Sequence, residues 1–223
     1  MLKRIDIVGN PNIGVFIQAT DDFVIVPYNL IDEKVKLVEE ILEVPAVKSS
    51  ISGSSLIGSL SVANSHGIVV SPHVLDREVK QFEELGLEVA TIPGNYTAVG
   101  NIVAANDNGA IASPYLSEKA IEVIENTLDV NVESSSMVGS DIIGSLISVT
   151  NKGFLISGNA VESEVNFSRE VFGVEGDIGT VGRGIPLVGA CSIANSNGAI
   201  VAKDSTGPEM ARVEEALGFL DDL

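Results

Sequence analysis

Few residues of this chain can do covalent or acid–base chemistry. One cysteine, Cys191, and two histidines, His66 and His73, are its whole stock of thiol and imidazole. A thiol beside an imidazole is a nucleophile–base pair, so these three are the candidates for catalysis. A lone cysteine makes no intrachain disulfide, which fits a reducing compartment. No Cys and His spacing suits a structural metal site. Acidic pairs such as Glu39/Glu40, Glu83/Glu84 and Glu214/Glu215 read as solvated helix faces. Glycine pairs recur along the chain, but no phosphate-loop or dinucleotide fingerprint follows them, so they read as structural turns.

Those glycines carry the organisation of the chain. A Gly, four residues and another Gly occur as Gly9/Gly14, Gly53/Gly58, Gly139/Gly144 and Gly184/Gly189, and Gly94/Gly100 has one residue more. The second glycines repeat about every 44 residues, a period that marks a repeat architecture. Six residues further on stand Thr20, Asn64, Asn106, Thr150 and Asn195, and three beyond them Phe23, Gly67, Gly109, Gly153 and Gly198. Asn/Thr-x-x-Gly between apolar stretches predicts a hairpin turn in which Gly supplies a positive φ. The first unit, with Phe23, is expected to turn differently.

Each turn leads into an apolar strand: Val24–Val26, Ile68–Val70, Ala110–Ala112, Phe154–Ile156 and Ala199–Val201. A helix follows in every unit. The first starts at Asp32, the second is capped by Asp76, the third by Ser117, and the fourth spans about Ser163 to Phe172. The fifth opens on a capping box, Thr206-Gly207-Pro208-Glu209. A last strand then leads to the next Gly pair, but the sequence ends after the fifth helix. Its missing strand stands at the other end, because Arg4-Ile5-Asp6-Ile7-Val8-Gly9-Asn10 matches Val89-Ala90-Thr91-Ile92-Pro93-Gly94-Asn95 in type and register.

The expected fold is therefore α/β: a five-fold pseudosymmetric propeller, strands lining the axis and helices outside. Residues 1–223 form a single closed domain of five repeats, with the N-terminal strand (about residues 3–8) completing the last and removing two free sheet edges. An all-β propeller of similar period is disfavoured by the helices and by the absence of Trp.

The repeats also act as internal controls. Cys191 aligns with Phe16, Leu60, Ile102 and Leu146, an apolar slot, which favours packing over catalysis. His66 aligns with Asp22, Asn108, Lys152 and Asn197, and His73 with Asn29, Tyr115, Asn159 and Asp204. Both positions read as exposed and polar.

A net charge of −18 and the lack of any Lys/Arg cluster argue against a nucleic-acid binder. Without an apolar run long enough for a membrane span or a leader, the expectation is a soluble, cytoplasmic protein. Leu56–Val74 and Ile185–Ala202 contain no charged residue, so the acid is expected on the outer rim and a neutral surface at one end of the ring. Such a face is suited to docking.

Two resemblances follow from these residues. A five-unit α/β ring resembles the penteins, a superfamily that includes guanidine-modifying enzymes with a Cys nucleophile and a partner His near the axis. The segments Gly9-Asn10-Pro11-Asn12-Ile13-Gly14, Ile57 to Pro72, Gly100 to Asp107, and Val138 to Ser145 resemble archaeal members of the translation initiation factor 6 family. That resemblance covers the whole chain. It implies a non-enzymatic anti-association factor without cofactor or metal. Such a factor is a monomer that binds the large ribosomal subunit on its intersubunit side, mainly through a ribosomal protein beside the sarcin–ricin loop, with limited rRNA contact. It excludes the small subunit sterically. The family's ribosome-facing positions match Ser59, Asn101 and Ser145, with Ala190 added by symmetry. A guanidine-modifying pentein is the alternative.

Overall fold

The computed structural model describes residues 1–7 and 9–220. Its strands form five sheets of three strands each. Strand β1 (Leu2–Ile5) opens the chain. The first repeat follows as α1 (Ile13–Phe16), β2 (Gln18–Ala19), β3 (Val24–Pro27), α2 (Asp32–Leu42) and β4 (Ala46–Ser49). The second is α3 (Ile57–Leu60), β5 (Ser61–Ala63), β6 (Gly67–Val70), α4 (Asp76–Glu83) and β7 (Glu88–Thr91). The third is α5 (Val99–Ile102), β8 (Val103–Ala105), β9 (Gly109–Ala112), α6 (Glu118–Leu128) and β10 (Asn131–Ser134). The fourth is α7 (Ile143–Leu146), β11 (Ile147–Val149), β12 (Phe154–Ser157), α8 (Glu162–Phe172) and β13 (Gly176–Gly179). The fifth is α9 (Val188–Cys191), β14 (Ser192–Ala194), β15 (Ala199–Ala202) and α10 (Gly207–Ala216).

In each sheet the central strand pairs antiparallel with the inner strand and parallel with the outer one. The parallel step needs a crossover, which the long helix supplies. In the fifth sheet the outer strand is β1, parallel to β15 with Leu2 opposite Ala199 and Ile5 opposite Ala202. Ala199 N–H also donates to the Met1 carbonyl at 2.9 Å. Within the segment expected to complete this sheet, Val8 lies outside the described residues.

The long helices bind each repeat to the one before it. Phe82 of α4 packs with Phe23 and Ile25 of the first repeat, and Ile124 of α6 with Val62 and Val69 of the second. Phe172 of α8 packs with Ile111 of the third, Val213 of α10 with Leu155 of the fourth, and Ile41 of α2 with Ile200 of the fifth. No repeat buries its apolar face alone. Three asparagines reinforce the boundaries. Asn64 Nδ2 donates to the carbonyls of Asn106 and Leu128, Asn106 to those of Thr150 and Phe172, and Asn195 to those of Thr20 and Leu42, at 2.8–3.2 Å.

Several local expectations need correction. Gly67, Gly109, Gly153 and Gly198 do not have positive φ. They are glycines because a Cβ there would overlap a carbonyl oxygen near the end of the neighbouring long helix: Thr127, Val171, Ala216 and Ile41 respectively. The first unit uses the same turn as the rest. Thr20 N–H donates to Phe23 at 2.9 Å, as Asn64 does to Gly67 at 3.1 Å. Phe23 fits where the others need Gly because α4 has only 8 residues, against 11 in α6, and the ring joins Phe82 and Leu87 in the vacated space. The N-cap of α4 is Leu75, not Asp76, and Glu78 does the capping by accepting the Leu75 N–H at 2.9 Å. The Ser117 cap and the Thr206–Glu209 capping box form as expected.

Candidate functional site

The strand directions give the ring two unlike ends. Hairpin turns and the C-termini of the long helices share one end. At the other lie the Gly-pair loops, the N-termini of the long helices and five helices of four residues each, α1, α3, α5, α7 and α9. These short helices touch in the order α1–α3–α5–α7–α9 and back to α1. None contains a charged residue.

The Gly pairs do two jobs, not one. The first glycines, Gly9, Gly53, Gly94, Gly139 and Gly184, have φ between 66° and 103° and are turn residues. The second, Gly14, Gly58, Gly100, Gly144 and Gly189, lie in the short helices. A Cβ on any of them would overlap the carbonyl oxygen of the preceding ring glycine, Gly189 preceding Gly14. The five backbones therefore pack directly on one another around the axis. Sequence spacing located these glycines, but four residues are too few to show a helical period.

Ser59, Asn101, Ser145 and Ala190 each follow a ring glycine, at equivalent places on α3, α5, α7 and α9. The structure thus puts all four on one end, near the axis. Ser59 and Ser145 are only 8% and 7% exposed, while Asn101 and Ala190 are half-buried. The exposed side chains beside them are Leu56 and Ile142, the N-caps of α3 and α7, and Tyr96, in the loop before α5. Sequence reasoning passed over these three.

The catalytic candidates are not brought together. Cys191 is buried in the core of the fifth repeat, where its thiol donates to Asn12 Oδ1 at 3.1 Å and burial pushes its pKa up. His66 and His73 are exposed at opposite ends of the second repeat. A cavity of about 90 Å³ on the axis is lined by the ring glycines and the inner strands. Its walls carry no Asp, Glu, His, Lys or Cys. Among the described residues no cluster of His, Cys, Asp and Glu could hold a metal ion, and no helix is long and apolar enough to cross a membrane.

Carboxylates, buried at Glu78 and part-buried in the other repeats, hold the loops that aim the short helices. Glu78 reaches the loop before α3, accepting from Ser50 Oγ at 2.5 Å, Ser52 N–H at 2.8 Å and Gly53 N–H at 3.0 Å. Burial pushes its carboxyl up, but these bonds outweigh it and hold the pKa below the usual range. Glu209 does the same before α9. Burial opposes its ionisation, yet the N–H groups of Thr206 and Gly184 and the hydroxyls of Thr206 and Thr180 lower its pKa to about 2. Glu164 accepts the Val138 N–H at 2.5 Å before α7. Before α1, Lys34 meets the Asp6 carboxylate at 2.8 Å, and Asp6 accepts the Gly9 N–H at 2.9 Å. The bonds that reach from a long helix to its loop join residues 25 to 29 apart, beyond any local pattern.

Comparison with known proteins gives one consistent result. A sequence model described as "eIF-6 family" matches residues 2–216. The chain is 84% identical to translation initiation factor 6 of Methanobrevibacter smithii over all of both chains. It is 38% identical to translation initiation factor 6 of Pyrococcus abyssi, covering 98% of this chain and 99% of that one. With translation initiation factor 6 of Natronomonas pharaonis the identity is 40%, over 98% of this chain and all of the relative.

Proposed function

This chain belongs to the eIF-6 family, and from that premise we propose that it binds the large ribosomal subunit on its intersubunit face and sterically keeps the small subunit from joining. The observation that carries this reading is the charge-free ring of short helices at one end of an otherwise strongly acidic molecule. A surface of that kind can desolvate against a protein partner without leaving buried charges unpaired, whereas the acidic remainder is repelled by phosphate. The partner at this end is mainly a ribosomal protein beside the sarcin–ricin loop, with limited rRNA contact. Asn101 and Ala190 offer polar and small contacts there, with Ser59 and Ser145 at the equivalent places on α3 and α7.

The factor acts as a cytoplasmic monomer and catalyses no reaction. In support, Cys191 is a buried packing residue whose thiol meets Asn12 and no base, and the axial cavity beside the ring glycines carries no acid or base on its walls. Exclusion of the small subunit then needs only a rigid body in its path, which directly packed backbones provide. Co-sedimentation with purified archaeal large subunits, followed by light scattering after adding small subunits, tests the reading. One factor per large subunit and suppressed joining are expected. Free joining at saturating factor would contradict it.

A further inference from the structure

Four of the five loops that lead into the short helices are built alike. Backbone bridges close them at Ile7–Asn10, Ile51–Ser54, Met137–Ser140 and Val181–Ile185. Charged groups tie each to the first turn of the following long helix: Lys34 with Asp6, then Glu78, Glu164 and Glu209. Among the described residues, the loop of the third repeat has neither device. It is the one with the extra residue, and Ala120, in the core, stands where the other helices carry the charged side chain.

In their place is an aromatic pair. Tyr96, from this loop, stacks on Tyr115 with ring centroids 6.4 Å apart and planes inclined by 12°. The rings are not buried: Tyr96 is 42% exposed and Tyr115 63%. Exposed Leu56 and Ile142 lie on the short-helix ends of the adjoining repeats. One repeat has thus given up the internal clamp and carries two stacked rings facing solvent beside Asn101. The stack ties the loop to the entry of α6 while leaving both rings largely open to solvent.

Resting on the docking reading above, we propose that Tyr96 and Tyr115 form the aromatic anchor by which this end grips a polypeptide surface of the large subunit. Stacked tyrosines give large contact area at low entropic cost and dominate many protein interfaces. Aromatic rings also stack on nucleotide bases, but such sites come with cations that track the phosphates. The charged group that acts on Tyr115 is instead the Asp141 carboxylate, which pushes the phenol's pKa up. That charge pattern selects protein over rRNA.

The test compares wild type, Tyr96→Ala, Tyr115→Ala and a control, Tyr28→Ala, exposed at the same end but in the first repeat. Affinity for purified archaeal large subunits is measured by sedimentation, and melting of each variant is checked. Both anchor variants should bind at least tenfold more weakly with unchanged melting, and the control within about twofold. Hydroxyl-radical footprinting of the unmodified protein gives a second readout that needs no variant, with oxidation of Tyr96 and Tyr115 suppressed in the complex. If the wild type binds and both anchor variants bind within about twofold, the anchor is wrong and the docking reading stands. Failure of the wild type to bind large subunits would remove the docking reading and the anchor with it. Protection of both rings by protein-free rRNA would overturn the choice of a polypeptide.

Discussion

A methyl group on Gly100 would overlap the backbone of Gly58, whereas one on Gly53 would meet nothing within 4 Å. The two glycines look equivalent in the sequence but carry different duties. Gly100→Ala should cost about 3 kcal/mol or more, because backbone must move, in the range of severe overpacking. Gly53→Ala should cost about 1 kcal/mol, the price of a non-glycine residue at positive φ. Urea titration of both variants checks the contrast. Cys191→Ala, a packing change, should cost about 1–2 kcal/mol and leave large-subunit binding intact. Turnover of a guanidino substrate by the wild type, lost in that variant, would refute the non-enzymatic reading. The periodicity of the glycines was legible because their spacing is nearly constant. What each glycine avoids was not, since the obstructing atoms belong to another repeat.

At the scale of elements, the carboxylate clamps make a prediction about pH. The Glu209 carboxyl is held at about 2, well below its ordinary value near 4.5. A depressed carboxyl stabilises the fold above its unfolded pKa and loses that contribution as protons bind the folded state. Stability should therefore fall as pH drops from about 4.5 towards 2. Glu209→Gln should lower stability at pH 7 by about 1–2 kcal/mol and flatten the profile over that interval, as seen by denaturant titration at several pH values. An unchanged profile would mean the clamp does not operate. Helix positions and the Ser117 and Thr206 caps were readable from local chemistry. The Glu78, Glu164 and Glu209 clamps were not, nor was the fit of Phe23 beside the short α4, because both depend on which repeat packs on which. The short helices escaped for a different reason, being one turn long.

For the whole molecule, the parallel pairing of β1 with β15 joins the two ends of the chain in one sheet. We propose that the ring unfolds as a single cooperative domain latched by this strand. Deleting residues 1–8 should expose the edge of β15 and uncover the core shared by the first and fifth repeats, with loss of cooperative melting and with aggregation. Melting like that of the intact protein would refute the latch. The repeat order and the closing strand were readable from the match between Arg4–Asn10 and Val89–Asn95. The end proposed for docking was legible only as a charge gap, and the burial of Ser59 and Ser145 became visible only with the fold. Burial also makes Asn101 the better probe, since a charge at Ser145 would strain the ring itself.

The most direct test of the account is a titration of Asn101→Asp, Glu83→Gln and Glu214→Gln against large ribosomal subunits, with subunit joining followed by light scattering. Asn101→Asp puts an unpaired carboxylate on the neutral face and should weaken binding by about 2 kcal/mol or more, roughly thirtyfold, with folding intact. Glu83 and Glu214 lie on α4 and α10, away from that face, and their variants should differ from wild type by less than about 0.5 kcal/mol. Loss of binding in the Glu83 and Glu214 variants, with Asn101→Asp bound as tightly as wild type, would place docking on the acidic rim and contradict the account.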